Sequence, residues 1–168
     1  PAPHPEARTQ AHDCGHRVAL SERVAVTLAP TYHWSARGAM DRRMALWCSF
    51  VIEAAGTKVF HVGDTGYHDG SLYDRLGEQY GPFRLAVLPI GAYEPRWFMS
   101  DNHMNPEEAV KVMASLRAEQ AIGHHWGTFQ LTDEGVERPV EALKQALDQA
   151  GLPQERFKPM RPGLSWTA

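Results

Sequence analysis

Short apolar runs separated by turn-forming stretches set the rhythm of this chain. Val24–Leu28 alternates apolar and small polar residues ahead of Pro30, which predicts a short strand. Leu46–Glu53 and Lys58–Val62 are β-rich runs joined by Ala54-Ala55-Gly56-Thr57, a hairpin pattern with Gly56 supplying the turn. Leu85–Ile90 is continuously apolar, as in a strand covered on both faces. Ala121–Gly123 reads as a very short strand. Helical patterns fill the gaps. Ser71–Gln79 is followed by Gly81-Pro82, and Val136–Ala150 is amphipathic and ends before Gly151 and Pro153. Asn105 caps a third helix, with Pro106 at its first position and Glu107 and Glu108 where carboxylates meet the positive end of the helix dipole. The order strand, hairpin, helix, strand, helix, strand, helix predicts an α/β fold with helices covering a sheet. Residues 1–17 carry no period and read as a flexible lead-in, so the domain is expected over residues 18–168, its last part a turn-rich tail.

Composition narrows the function. A length of 168 residues suits one domain, and 43% hydrophobic residues suffice for a packed core. The formal net charge of −3 gives no general attraction to nucleic acid, so no nucleic-acid partner is expected. Cys14 and Cys48 belong to no C-x-x-C pair, which removes zinc-finger and thioredoxin-like readings and leaves two free thiols as the expectation. No run approaches the roughly 20 apolar residues of a membrane span. No secretory signal is visible in the first residues, so a cytoplasmic or peripheral-membrane location is expected rather than secretion.

Nine histidines are many for this length, and two of them stand out with one aspartate. His33 lies in Thr31-Tyr32-His33-Trp34-Ser35, Asp64 in Val62-Gly63-Asp64-Thr65-Gly66, and His125 in Gly123-His124-His125-Trp126-Gly127. Each follows a strand-like run. Imidazole and carboxylate at strand ends are what a Zn²⁺-type site needs, because the strand end is rigid and the loop leaves room for substrate. The glycines around Asp64 let the backbone turn sharply. In an extended segment His124 points away from His125, which argues against it as a ligand. His12-Asp13-x-x-His16 matches no ligand spacing and reads as solvated tail.

At these motifs the chain resembles the metallo-β-lactamase superfamily, within it the branch of N-acyl-phosphatidylethanolamine-hydrolysing phospholipases D and their bacterial relatives. The segments that carry the resemblance are His33-Trp34-Ser35-Ala36-Arg37, Gly63-Asp64-Thr65-Gly66-Tyr67, Leu88 to Met99 (LPIGAYEPRWFM), His103-Met104-Asn105-Pro106-Glu107-Glu108-Ala109 and His125-Trp126-Gly127-Thr128-Phe129. They cover roughly residues 18–160. The family's H-x-H-x-D-H loop is absent, and His4, His12 and His16 do not reproduce it. The resemblance therefore implies an α/β fold of four-layer type, of which this chain is the C-terminal half of an αββα sandwich. Such a half exposes apolar surface and is expected to self-associate or to pair with a missing N-terminal half.

The resemblance further implies His33 on one zinc ion, Asp64 bridging two, and His125 on the other, with two ions in the full family site and one or none held by this chain alone. It implies a zinc-activated water that cleaves a phosphodiester of an N-acylated phospholipid, with Asp64 and His103 in catalytic roles and His103 as proton donor or phosphate contact. Tyr93, Glu94 and Arg96 are the substrate-side candidates. Arg96 either forks onto a phosphate or holds Glu94. Other readings are a lactone or cyclic-phosphodiester hydrolase of the same fold, or a half-domain without activity on its own. The partners implied are a phospholipid or small phosphodiester and peripheral contact with a membrane.

Overall fold

The computed structural model describes residues 10–166. Its strands are β1 (Arg17–Ala19), β2 (Val24–Pro30), β3 (Cys48–Ala54), β4 (Thr57–His61), β5 (Phe83–Pro89), β6 (Ala118–His124) and β7 (Phe157–Pro159). Its helices are α1 (Ser71–Tyr80), α2 (Arg96–Met99), α3 (Pro106–Ser115) and α4 (Arg138–Gln149). The strands form one mixed sheet in sequence order, β1 to β7. β1 to β4 are an antiparallel meander, and β4 to β7 are parallel, linked by helical crossovers. This is the expected α/β architecture. One sheet with helices on a single face corresponds to half of a four-layer αββα stack.

The two faces of the sheet differ in what they touch. Thr27, Val51, Phe60, Ala86, Ala121 and Phe157 are register partners along one row of the sheet, and all six are buried. The five apolar ones pack under α1, α3 and α4 with Tyr73, Leu76, Val112, Met113, Leu143 and Leu147. Each large apolar side chain removed from water contributes about 1.5–3 kcal/mol, so this layer dominates stability. The α1–α3 approach depends on Gly77, where a Cβ would run into the Ser115 carbonyl. The opposite face carries the row Leu28, Phe50, His61, Val87 and Ile122, and no helix among the described residues covers it. Its apolar members stay half-buried or exposed.

Several elements differ from the sequence expectation. β6 spans Ala118–His124 rather than Ala121–Gly123, because Glu119 and Gln120 break the apolar run although pairing with β5 continues through them, β7 joining only at Ala121–Gly123. β7 falls in the stretch read as a turn-rich tail, and α2 lies where no element was predicted. β1 begins at Arg17, held by Gly15 and His16 hydrogen-bonding to Leu28, so pairing reaches into the lead-in. Residues 1–9 of that lead-in, including His4, lie outside the described residues. The Asn105 cap is as expected: its side chain accepts from the Glu108 N–H and the Glu108 carboxylate accepts from the Asn105 N–H. Cys14 and Cys48 are free thiols. No helix among the described residues is long and apolar enough to cross a membrane.

Candidate metal centre

β2, β4, β5 and β6 run in the same direction, so their C-terminal ends lie along one edge of the sheet. His33 follows β2, Asp64 follows β4, His103 lies on the connection after β5, and His125 follows β6. Open α/β sheets bind ligands along this edge because the crossovers leave a crevice there.

One donor atom each from His33, Asp64 and His103 lie within 4.8 Å of one another, and no other such group of three metal-capable side chains occurs among the described residues. His125 joins them through Asp64, with Nε2 3.2 Å from Oδ1. The His103 ring stands 5.3 Å from that of His33 and 5.5 Å from that of His125. Four groups far apart in sequence therefore converge. The three-member group contains His103, placed among catalytic rather than ligand residues by the sequence reading, while His125 stands on the far side of the carboxylate.

Hydrogen bonds prepare these groups for a cation. His33 Nδ1 donates to the Trp34 carbonyl at 2.9 Å, which leaves Nε2 with a free lone pair. His125 Nδ1 leans on the Gly91 carbonyl at 3.4 Å, a weak contact that still favours the same tautomer. Its bare Nε2 then faces a carboxylate oxygen. Two acceptors at that separation repel unless a proton or a metal ion sits between them. His103 Nδ1 is buried without any hydrogen-bond partner, a cost that an ion would remove. These features fit a divalent cation held by imidazole and carboxylate.

The backbone bends to bring His125 in. Its φ of 62° lies in the left-handed region, which non-glycine residues rarely adopt outside functional or strained sites. Gly91 makes room for this turn: a Cβ there would collide with the His125 carbonyl and Trp126. Beneath the site sits Thr65, fully buried. Its hydroxyl accepts from the Thr31 hydroxyl at 2.5 Å and the Tyr32 N–H at 3.1 Å, and lies 2.8 Å from the Tyr73 hydroxyl. Its carbonyl accepts from Met104 N–H at 2.8 Å. One residue thus ties the His33 loop, the Asp64 turn, α1 and the neighbour of His103 together. Burial raises the Tyr73 hydroxyl pKa, so it remains a proton donor in this network. Trp47 adds a bond from Nε1 to the Asp64 carbonyl at 2.9 Å. The sequence reading missed Thr65 and Trp47. A threonine between aspartate and glycine was the available signal, and it reads equally well as a turn.

The substrate-side candidates are held by contacts of their own. Arg96 Nη2 donates to both Glu108 oxygens at 2.9 Å and Nη1 donates to the His103 carbonyl at 3.0 Å, so its guanidinium is engaged by the start of α3 and the His103 loop rather than by the Glu94 carboxylate. The Arg96 backbone N–H, not its side chain, holds Glu94, at 3.0 Å. Tyr93 and Glu94 line a cavity of about 440 Å³ bounded by the start of α3 and by α4, and none of the four cluster residues lines it. Burial pushes the Tyr93 hydroxyl up to about 12. Arg96 is therefore a brace that fixes the His103 loop against α3. Arg96→Ala is expected to cost about 2 kcal/mol in urea unfolding, below the 3–5 of a fully buried pair because the side chains are 29% and 21% exposed. Arg96→Lys should recover little, since a single ammonium cannot hold Glu108 and the His103 carbonyl from two separate nitrogens.

Burial pushes the His103 imidazole down to about 4, and burial does the same to His124, whose Nε2 donates to the Val62 carbonyl at 2.7 Å. His124 is thus engaged away from the cluster, as its alternation in the strand suggested. In the unfolded chain both rings take up a proton near pH 6.5, ahead of the folded chain. Their contribution to stability is therefore complete above about pH 6.5 and is lost as the pH falls towards about 4. The urea midpoint of metal-free protein should drop steadily between pH 7 and pH 4.5, to about the degree two such groups allow. A flat midpoint across that range would exclude neutral burial of these rings.

Comparison with known proteins identifies the family. A family model described as "Beta-lactamase superfamily domain" matches residues 1–126. N-acyl-phosphatidylethanolamine-hydrolyzing phospholipase D 1 of Caenorhabditis elegans is 38% identical over 147 residues, covering 86% of this chain and 41% of that protein. The mitochondrial N-acyl-phosphatidylethanolamine-hydrolyzing phospholipase D of Saccharomyces cerevisiae is 38% identical over 136 residues, covering 80% of this chain and 29% of that protein. Igni18, a metallo hydrolase from the archaeon Ignicoccus hospitalis, superposes with a TM-score of 0.63 at 25% identity, over 91% of this chain and 57% of its own. The chain thus spans well under half the length of these two curated relatives. With its α/β sheet, its edge-of-sheet cluster and a family match over residues 1–126, this chain belongs to the beta-lactamase superfamily.

Proposed function

We propose that this chain forms the metal-holding, C-terminal half of a metal-dependent phosphodiesterase that cleaves N-acylated phospholipids in the manner of a phospholipase D. The observation that carries the reading is the convergence of His33, Asp64 and His103, with His125 on Asp64. These residues would hold the ion, and zinc suits an imidazole–carboxylate set. When bound, a divalent ion supplies Lewis acidity that makes water nucleophilic near neutral pH and offsets charge on a phosphodiester. The protein's part is positional. The Nδ1 contacts of His33 and His125 orient their rings, and Thr65 and Arg96 fix the loops that carry Asp64 and His103. The names of the 38%-identical relatives support the substrate class.

Two measurements test this. Metal analysis and zinc titration of the purified chain should show at least one bound ion, lost on chelation. Incubation with N-acyl-phosphatidylethanolamine should release N-acylethanolamine. No metal and no turnover, with or without an added upstream half, would refute the proposal. A second reading is favoured by the uncovered sheet face: the segment holds metal but turns over substrate only once that face is packed. Metal binding without turnover, restored by a co-expressed upstream half, identifies that case.

A further inference from the structure

Ala92 and His125 both hold left-handed backbone, with φ of 58° and 62°. Their loops follow the neighbouring strands β5 and β6, and Gly91 lies between them, its missing Cβ leaving room for the His125 carbonyl. Alanine enters this region at a penalty of about tenfold in population, so a further contact must hold Ala92 there.

Glu134 supplies that contact. Its Oε1 accepts the Tyr93 N–H at 3.2 Å, and its Oε2 accepts the Glu94 N–H at 3.1 Å. These are the two N–H groups directly after Ala92. Successive N–H groups of a turn form a concavity that takes an anion, and here the anion is the protein's own carboxylate. The Thr132 hydroxyl donates to Oε2 at 2.6 Å and fixes the carboxylate from its own loop. Burial acts to raise the Glu134 pKa, but the hydrogen bonds outweigh it and hold the carboxyl below its ordinary range, so the clasp is ionised at neutral pH. The gap left beside Gly91, Ala92 and His125 is about 20 Å³, room for a single water. No ligand fits there; the carboxylate is the bridge between the loops.

The consequence reaches the metal centre through one carbonyl. His125 Nδ1 lies 3.4 Å from the Gly91 carbonyl, and the φ of Ala92 sets the tilt of the peptide plane that carries it. Relaxation of Ala92 to a negative φ would turn that plane and carry the carbonyl away from the ring.

We propose that Glu134 is a positioning residue for His125: by clasping the Tyr93 and Glu94 N–H groups it keeps Ala92 left-handed, and so keeps the Gly91 carbonyl on His125 Nδ1 with Nε2 free to face Asp64. Glu134 lies outside the converging group of His33, Asp64 and His103 and acts through the turn. That His125 serves a cation rests on the function proposed above. The clasp itself is measured without metal.

Nitrogen-15 histidine spectra of the chelated full chain at about pH 8, where imidazole is neutral, should show His125 protonated at Nδ1, its signal assigned by its loss in His125→Gln. Glu134→Gln keeps the size but replaces one acceptor by an NH₂ group that cannot accept an N–H. The Nδ1–H preference should fall, and zinc affinity should weaken about tenfold or more, as for other groups that orient a ligand. Ala92→Gly is then added to that variant. Glycine adopts positive φ freely, so zinc affinity should recover by at least about threefold, together with part of the tautomer preference. A direct charge effect of Glu134 on the cation predicts weaker zinc binding, an unchanged tautomer and no rescue by glycine. That result would overturn the proposal. So would a Glu134→Gln chain that is less stable in urea yet binds zinc as tightly with His125 unchanged. Should circular dichroism show Glu134→Gln unfolded, Thr132→Val, which releases one carboxylate oxygen, carries the same test at about threefold. A wild-type chain that binds no zinc would remove the proposed function, while its His125 spectra would still decide the positioning.

Discussion

Asp64→Ala should weaken metal binding by at least about 100-fold and reduce hydrolysis by about three orders of magnitude. Loss of groups that only support a ligand already costs 10–100-fold in affinity, and Asp64 is central to the cluster. It is grouped with His33 and His103, and it is the acceptor facing His125. A structural role for Asp64 predicts something different. If it only stabilised the fold, metal-free protein would melt earlier. The expectation here is that metal-free wild type and variant unfold within about 1 kcal/mol of each other, as surface-facing substitutions usually do. The gap should open when zinc is added. An ion at a hundred times its dissociation constant stabilises the wild type by about 2.7 kcal/mol, and the variant should not gain this. Calorimetry with and without zinc separates the two cases. Equal zinc stabilisation of both proteins would show that Asp64 is not a ligand.

Thr65→Val should lower stability by about 2–3 kcal/mol and loosen metal binding as well. Valine nearly matches threonine in shape but has no hydroxyl, so the change is not a neutral core swap. The side chain is fully buried. Removing its oxygen strands the Tyr32 N–H and the Thr31 hydroxyl, and leaves the Tyr73 hydroxyl with only the Gly66 carbonyl at 2.7 Å. Each buried polar group left unpaired costs about 1–3 kcal/mol, softened by relaxation. Thr65→Ser restores the oxygen and should recover most of the loss. Tyr73→Phe removes one arm of the network and should cost about 1 kcal/mol. Urea unfolding of the four proteins checks the order. If valine and serine variants are equally stable, the hydroxyl is not what joins the loops. Metal affinity should follow the same order, because the His33 loop and the Asp64 turn are registered through this hydroxyl.

Much of the fold was legible along the chain. Helix α3 was marked by Asn105, Pro106 and Glu108, whose chemistry is local and acts within one turn. The β3–β4 hairpin was marked by Gly56, which occupies a left-handed turn with φ 77°. β6 was underestimated because Glu119 and Gln120 look like strand breakers in one dimension, whereas pairing with β5 along Ala118–His124 decides the matter. β7 has three residues, too few for any period to show.

The site divides in the same way. The chemical types of His33, Asp64 and His125, and their places after apolar runs, are properties of the sequence and could be read from it. The convergence of His103 with His33 and Asp64, the hub at Thr65 and the engagement of Arg96 by Glu108 are not. These are set by where parallel strands end side by side and by which loops then meet. Local propensity and periodicity act over a few residues and so are written along the chain. Contacts between residues more than thirty positions apart, such as Thr31 with Thr65, depend on the packed sheet and arise only in three dimensions.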